Sequence, residues 1–174
     1  TEVVAPFESN TPGSVLRRTR EARGQSISDV VQVIRFSARQ IEALERDDYA
    51  SLPGSTAVRG LVRNYAKFLK LDATPLLAQL ELEAAASIRR RFSDIPCWGF
   101  KNPRVSRLLP FWRRVFARAG RQDSYVLALR NPLSVAASLA MRDGMAHSRS
   151  HLLWLLHMTE AVLHTGDRPR VCVD

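Results

Sequence analysis

The residues best placed to do chemistry are Arg130 and Ser138, eight positions apart in the run Arg-Asn-Pro-Leu-Ser-Val-Ala-Ala-Ser. The apolar segment before them, Tyr125-Val126-Leu127-Ala128-Leu129, reads as a strand covered on both faces. Arg130-Asn131-Pro132 then leads into a helical segment that stops near Gly144. In open parallel sheets ligands bind at the carboxyl ends of strands, where a helix N-terminus favours anions. A guanidinium there, with the hydroxyls of Ser134 and Ser138 on the following turns, would suit a phosphate. The same spacing also fits a solvated Arg130 and a Ser138 that packs against a neighbouring helix.

Two other groups invite a chemical reading. His147 and His151 are four apart, and His157 and His164 are seven apart. Zinc needs further ligands and supporting hydrogen bonds, and no nearby carboxylate or cysteine completes a pattern, so no metal site is expected. The basic run Arg89-Arg90-Arg91 and the set Arg113, Arg114, Arg118 and Arg121 could meet nucleic acid. They read instead as solvated helix faces, because aromatic residues suited to base stacking do not interleave with them.

The elements around these residues fall into two dissimilar halves. The 174-residue chain carries a net charge of +9. Residues 1–86 hold 11 basic and 11 acidic side chains, so the whole excess lies in residues 87–174. Such asymmetry suggests two modules with different partners. The only cysteines, Cys97 and Cys172, form no disulfide framework and suit a reducing cytoplasm. Residues 1–12 have neither the charge nor the apolar core of a signal peptide and read as a flexible lead-in. No apolar stretch is long enough to span a bilayer.

The first half has helical periodicity throughout. Ser14 precedes a first helix that ends at Gly24; Ser26 and Asp29 open a second; Ser37 and Gln40 form a capping box for a third. A fourth helix follows Leu52-Pro53-Gly54, and Thr74-Pro75 opens a fifth. The second and third have helix-turn-helix spacing, which would place Arg39 and Gln40 near the start of a recognition helix. DNA binding draws most of its affinity from cations on phosphates. A module without net charge, whose third helix runs into Glu45-Arg46-Asp47-Asp48, argues against nucleic acid as the partner.

Several motifs here occur together: Leu16-Arg17-Arg18 through Arg23-Gly24, Ile41-Glu42-Ala43-Leu44-Glu45, Leu52-Pro53-Gly54, and Arg59-Gly60-Leu61-Val62-Arg63-Asn64-Tyr65-Ala66-Lys67-Phe68-Leu69. Residues 13–80 thereby resemble the cytoplasmic domain of the RodZ family of bacterial cell-shape proteins. The resemblance implies a helix-turn-helix fold that binds the actin-like filament protein MreB. The family's contact aromatics, four apart on the fourth helix, fall on Leu61 and Tyr65. One expected aromatic is thus aliphatic here, and Tyr65 equally fits a core position.

Beyond a basic junction at 87–94 the pattern becomes strand and helix in alternation. Cys97–Lys101 reads as a short strand, 104–119 as a helix, Tyr125–Leu129 as a strand, two further helices end at Gly144 and Gly166, and Val171-Cys172-Val173 begins another strand. The fold class is therefore a helix-turn-helix type α-helical bundle followed by a partial α/β segment with a few parallel strands. Trp98–Arg104, Leu109–Trp112 and Tyr125–Leu139 followed by Arg142-Asp143-Gly144-Met145 resemble the middle of a sulfotransferase family, over residues 95–174. That resemblance implies that Arg130 and Ser138 hold the 3′-phosphate of the donor 3′-phosphoadenosine 5′-phosphosulfate, or of its product 3′-phosphoadenosine 5′-phosphate. The family's loop for the 5′-phosphosulfate has no counterpart: Thr11-Pro12-Gly13-Ser14 follows no strand and serves the first helix. Without that loop the charge on a migrating sulfuryl group has no stabiliser, so the segment is expected to be an inactive fragment, joined to an interaction module.

Overall fold

The computed structural model describes residues 10–102 and 104–173. The chain divides into two units, one running to Ala84 and the other starting at Ala85.

The first unit is built from helices whose starts are written locally. Thr11 caps α1 (Pro12–Ala22), its hydroxyl accepting from the Ser14 N–H. Helix α1 thus starts ahead of Ser14, because Pro12 lacks an N–H to satisfy and has its φ already set for the first helical position. Ser26 with Asp29 and Ser37 with Gln40 form reciprocal capping boxes at α2 (Ile27–Ile34) and α3 (Ala38–Glu45). Between them Arg35 takes the left-handed conformation, φ 56° and ψ 37°, which turns the chain sharply. A 3-10 turn, Tyr49–Ser51, leads to α4 (Ser55–Phe68). Helix α5 (Ala73–Arg91) starts one residue earlier than Thr74 as its cap would allow, because the Asp72 carboxylate accepts from the Thr74 N–H at 2.9 Å. Helix α1 packs on α3 and α4, and α2 on α3 and α4. Leu16, Val30, Ile41, Leu44, Val62 and Leu69 are fully buried there.

The second unit takes in the end of α5, including Arg89–Arg91, which form its last turn rather than a linker. Cations at that position meet the negative end of the helix dipole. The expected strand over Cys97–Lys101 does not form. With only Tyr125–Ala128 and Arg170–Val173 paired as strands among the described residues, that segment has no ladder to join. Its rings pack instead on α6 (Leu109–Ala119), Trp98 edge-on to Phe116 and Phe100 tilted on Trp112; α6 follows a 3-10 turn at Val105–Leu108. Strand β1 (Tyr125–Ala128) pairs in parallel with β2 (Arg170–Val173), Tyr125 opposite Arg170 and Ala128 opposite Val173. The crossover consists of α7 (Pro132–Asp143) and α8 (His147–Thr165), packed on each other. Strand β1 is not covered on both faces as its apolar run suggests: Tyr125 and Leu127 are half-buried, whereas Val126 is 70% exposed. A two-stranded sheet with both crossover helices packed together leaves one face to solvent.

Candidate functional site

Helix α4 is the element on which the sequence placed a docking site, and its two faces differ sharply. Leu61 and Tyr65 are on the inner face, 1% and 0% exposed. Their four-residue spacing is that of one helix face, and that face is the core of the unit. As contact residues on a folded surface they are therefore out of reach; they position α4. The outer face carries Arg63, Asn64 and Lys67, all exposed.

The inner face is held by charge as well as by apolar packing. Arg20 of α1 donates through Nε and Nη2 to the two oxygens of Glu45 at the end of α3, at 2.7 and 2.8 Å. Tyr65 of α4 donates its hydroxyl to the same carboxylate at 2.5 Å. One buried carboxylate thus ties three helices together. The Glu45 hydrogen bond holds the Arg20 guanidinium above its ordinary pKa, so it stays charged. Burial, then the hydrogen bond to Glu45, pushes the Tyr65 phenol up. A two-pronged guanidinium–carboxylate pair with a third donor is the geometry in which a buried ion pair offsets its desolvation. The sequence carried a signal for it: Arg20 follows Leu16 by one turn, and Glu45 adjoins Leu44 and Ile41, so opposite charges interrupt two apolar faces.

A second carboxylate clasps the N-terminus of α1. Asp47, in the left-handed conformation with φ 55°, accepts from the Thr11 hydroxyl at 2.5 Å and the Gly13 N–H at 2.9 Å. Gly13 is required here, since a Cβ would lie 2.0 Å from the Leu44 carbonyl oxygen. The Tyr49 hydroxyl lies 2.8 Å from Asp47 Oδ1 and 2.9 Å from Glu83 Oε2. One phenolic proton serves only one of these acceptors. Burial raises the Glu83 pKa above the usual carboxylate value, against the lowering effect of Tyr49.

The presumed recognition helix α3 exposes Ala38, Arg39, Glu42 and Arg46. Glu42, one turn from the helix start, would face phosphates or base edges as a negative charge.

In the second unit a shallow depression at the carboxyl ends of the strands is lined by Leu129, Arg130, Asn131, Cys172 and Val173. The Arg130 carbonyl accepts from Trp154 Nε1 at 3.0 Å, and Asn131 caps α7 by accepting from the Leu133 N–H. Ser138 is exposed on the second turn of α7 and is not among the lining residues. Arg130 is thus at the strand end as its position implies, without Ser138 beside it in the depression. Both cysteines are free and exposed. Among the described residues no cluster of His, Cys, Asp and Glu could hold a metal ion, and no helix is long and apolar enough to cross a membrane.

Comparison with known proteins defines the class of the first unit. Residues 15–76 match a family described as a helix-turn-helix domain. The helical unit is a helix-turn-helix domain. An uncharacterized protein of Haemophilus influenzae is 41% identical over 63 residues, 35% of this chain and 20% of that protein. The match thus spans about a fifth of that relative's length. No solved structure matches. Nothing in these comparisons supports the sulfotransferase resemblance of residues 95–174.

Proposed function

We propose that the helix-turn-helix unit is a protein-docking module, engaging an MreB-like filament protein on the cytoplasmic side through the outer face of α4. The observation that carries this reading is electrostatic. The unit through Ala84 balances 11 basic against 11 acidic side chains, and its α3 presents Glu42 where a DNA reader needs cations. Arg63 and Lys67, one turn apart and exposed on the outer face of α4, would suit a partner that is acidic at the contact. Leu61 and Tyr65 contribute by fixing α4 from inside. The test is co-sedimentation of the full chain with the polymerised filament protein. Arg63→Glu with Lys67→Glu should abolish co-sedimentation and leave the melting temperature unchanged. Unaltered binding by that variant, or a steeply salt-dependent affinity of this unit for duplex DNA lost in Arg39→Ala, would overturn the reading.

A second reading rests on the depression at Arg130. An anion there would be met by a guanidinium beside the N-terminus of α7. Calorimetric titration with 3′-phosphoadenosine 5′-phosphate, beside Arg130→Ala, tests it: heat lost in the variant supports a nucleotide site, and no heat in either protein removes it.

A further inference from the structure

The charge excess of this chain is more concentrated than a division into halves conveys. Between Ala85 and Gln122 ten Lys and Arg side chains stand against Asp94 alone, and the remainder of the unit is balanced. The same stretch holds Phe92, Trp98, Phe100, Phe111, Trp112 and Phe116, six of the 13 aromatic residues in the chain. Folding brings them into one shelf. Phe92 and Trp98 stack with ring centroids 4.1 Å apart and 9° between planes. Trp98 and Phe100 lie 6.3 Å apart at 18°, and Phe100 tilts on Trp112 at 5.0 Å. Trp112 and Phe116 of α6 form the floor, 5.8 Å apart.

The shelf is not a sealed core. Phe100 is 45% exposed, and Phe92 and Trp98 are only half-buried. Exposed cations flank it in sequence: Arg90 and Arg91 precede Phe92, Lys101 follows Phe100, and Arg104 and Arg107 come with the next turn. None of these five forms an ion pair among the described residues. By contrast Arg121 is committed to the shelf, donating to the Phe92 carbonyl at 2.6 Å.

We propose that this aromatic shelf and the exposed cations next to it in sequence bind single-stranded nucleic acid, the exposed Phe100 ring stacking on a base, Trp98 and Phe92 backing it from within the stack, while Arg91, Lys101 and Arg104 meet phosphates. Among polyanions, only a nucleic acid in which the bases are unpaired offers flat π-faces and a regular negative charge together. The basic runs do have aromatic neighbours: Phe92, Trp98 and Phe100 come from the loop between α5 and α6, and Trp112 and Phe116 from α6 itself.

The experiment titrates the full chain into a fluorescent oligothymidylate of about a dozen nucleotides, within the usual site size of such proteins. Expected are quenched tryptophan emission, an affinity that falls steeply with salt, and roughly tenfold weaker binding by Phe100→Ala, since losing one stacked base is worth about that factor. Lys101→Ala with Arg104→Ala, both solvent-facing changes that spare folding, should weaken binding and flatten the salt dependence. Far-UV spectra of each variant check that the fold is intact. The proposal fails if the oligonucleotide does not bind, if Phe100→Ala binds as well as the parent, or if polyphosphate or anionic phospholipid vesicles displace the oligonucleotide at equal charge.

Discussion

The two units contrast in how completely they bury what they carry. In the helix-turn-helix unit, Leu16, Val30, Ile41, Leu44, Val62, Tyr65 and Leu69 are all at 0% exposure, and the buried charges Arg20 and Glu45 satisfy each other. In the second unit, Val126, Leu133, Met141, Leu152 and Leu163 are each more than 65% exposed. Two of its ion pairs, Arg113–Asp167 and Arg142–Asp143, involve a largely exposed carboxylate or guanidinium, and Arg168 reaches the buried Asp123 only from a half-exposed side chain at 3.4 Å. Similar lengths of chain thus reach different degrees of closure. The lesson is that helices bury an apolar stripe on one another locally, whereas parallel strands need layers on both faces.

The largest expected difference is in local stability. In the full chain, amide hydrogens of α1, α3 and α4 should exchange only through unfolding of their unit, and those of β1 and β2 on the order of a thousandfold faster. Equal protection in both units, read by exchange mass spectrometry, would break the comparison.

Side-chain deletions sharpen it. Glu45→Ala takes both close carboxylate hydrogen bonds from buried Arg20, leaving it Glu21 at 3.4 Å and the Gln25 carbonyl at 2.9 Å, and should cost about 3 kcal/mol in denaturant unfolding. Arg142→Ala removes an exposed charge from a neighbouring pair and should leave the curve unmoved. A similar loss for both would mean that the buried network does not hold the helices.

Gly13→Ala comes next. Its new methyl meets the Leu44 carbonyl, so α1 and α3 must part, at a cost of about 1–3 kcal/mol. A neutral substitution would show that the clasp at Asp47 has slack.

The smallest effect is a pH dependence at Glu83. Its pKa is raised in the folded state, so the folded chain holds that proton more tightly than the unfolded one. The stabilisation is complete below the unfolded value of about 4.3 and is lost as pH rises through the raised folded value. Glu83→Gln, a fixed stand-in for the protonated acid, should gain on the parent as pH rises from acid to neutral. A difference constant with pH would show that burial does not raise the Glu83 pKa on folding.

Much of the helical unit was legible from local signals. Ser26 with Asp29, Ser37 with Gln40 and the apolar faces of α2 to α4 place helices within a residue or two, because capping and periodicity act over one or two turns. The docking site was less legible. Spacing puts Leu61 and Tyr65 on one face of α4, and nothing in spacing distinguishes a face turned inward from one turned outward. In the second unit the strand at Tyr125 and both crossover helices were readable. The absence of a strand at Cys97–Lys101 was not, since a strand exists only if another pairs with it.

By itself, then, the sequence determined the helix starts, the helix-turn-helix order and the charge asymmetry, all consequences of residues near one another in the chain. The tertiary structure alone decided which face of α4 is core, that Arg20, Glu45 and Tyr65 meet, and that Asp47 reaches back to Thr11 and Gly13. It also gathered rings from a loop and from α6 into one shelf. Each of these joins residues distant in sequence, whose proximity is set by how whole helices pack.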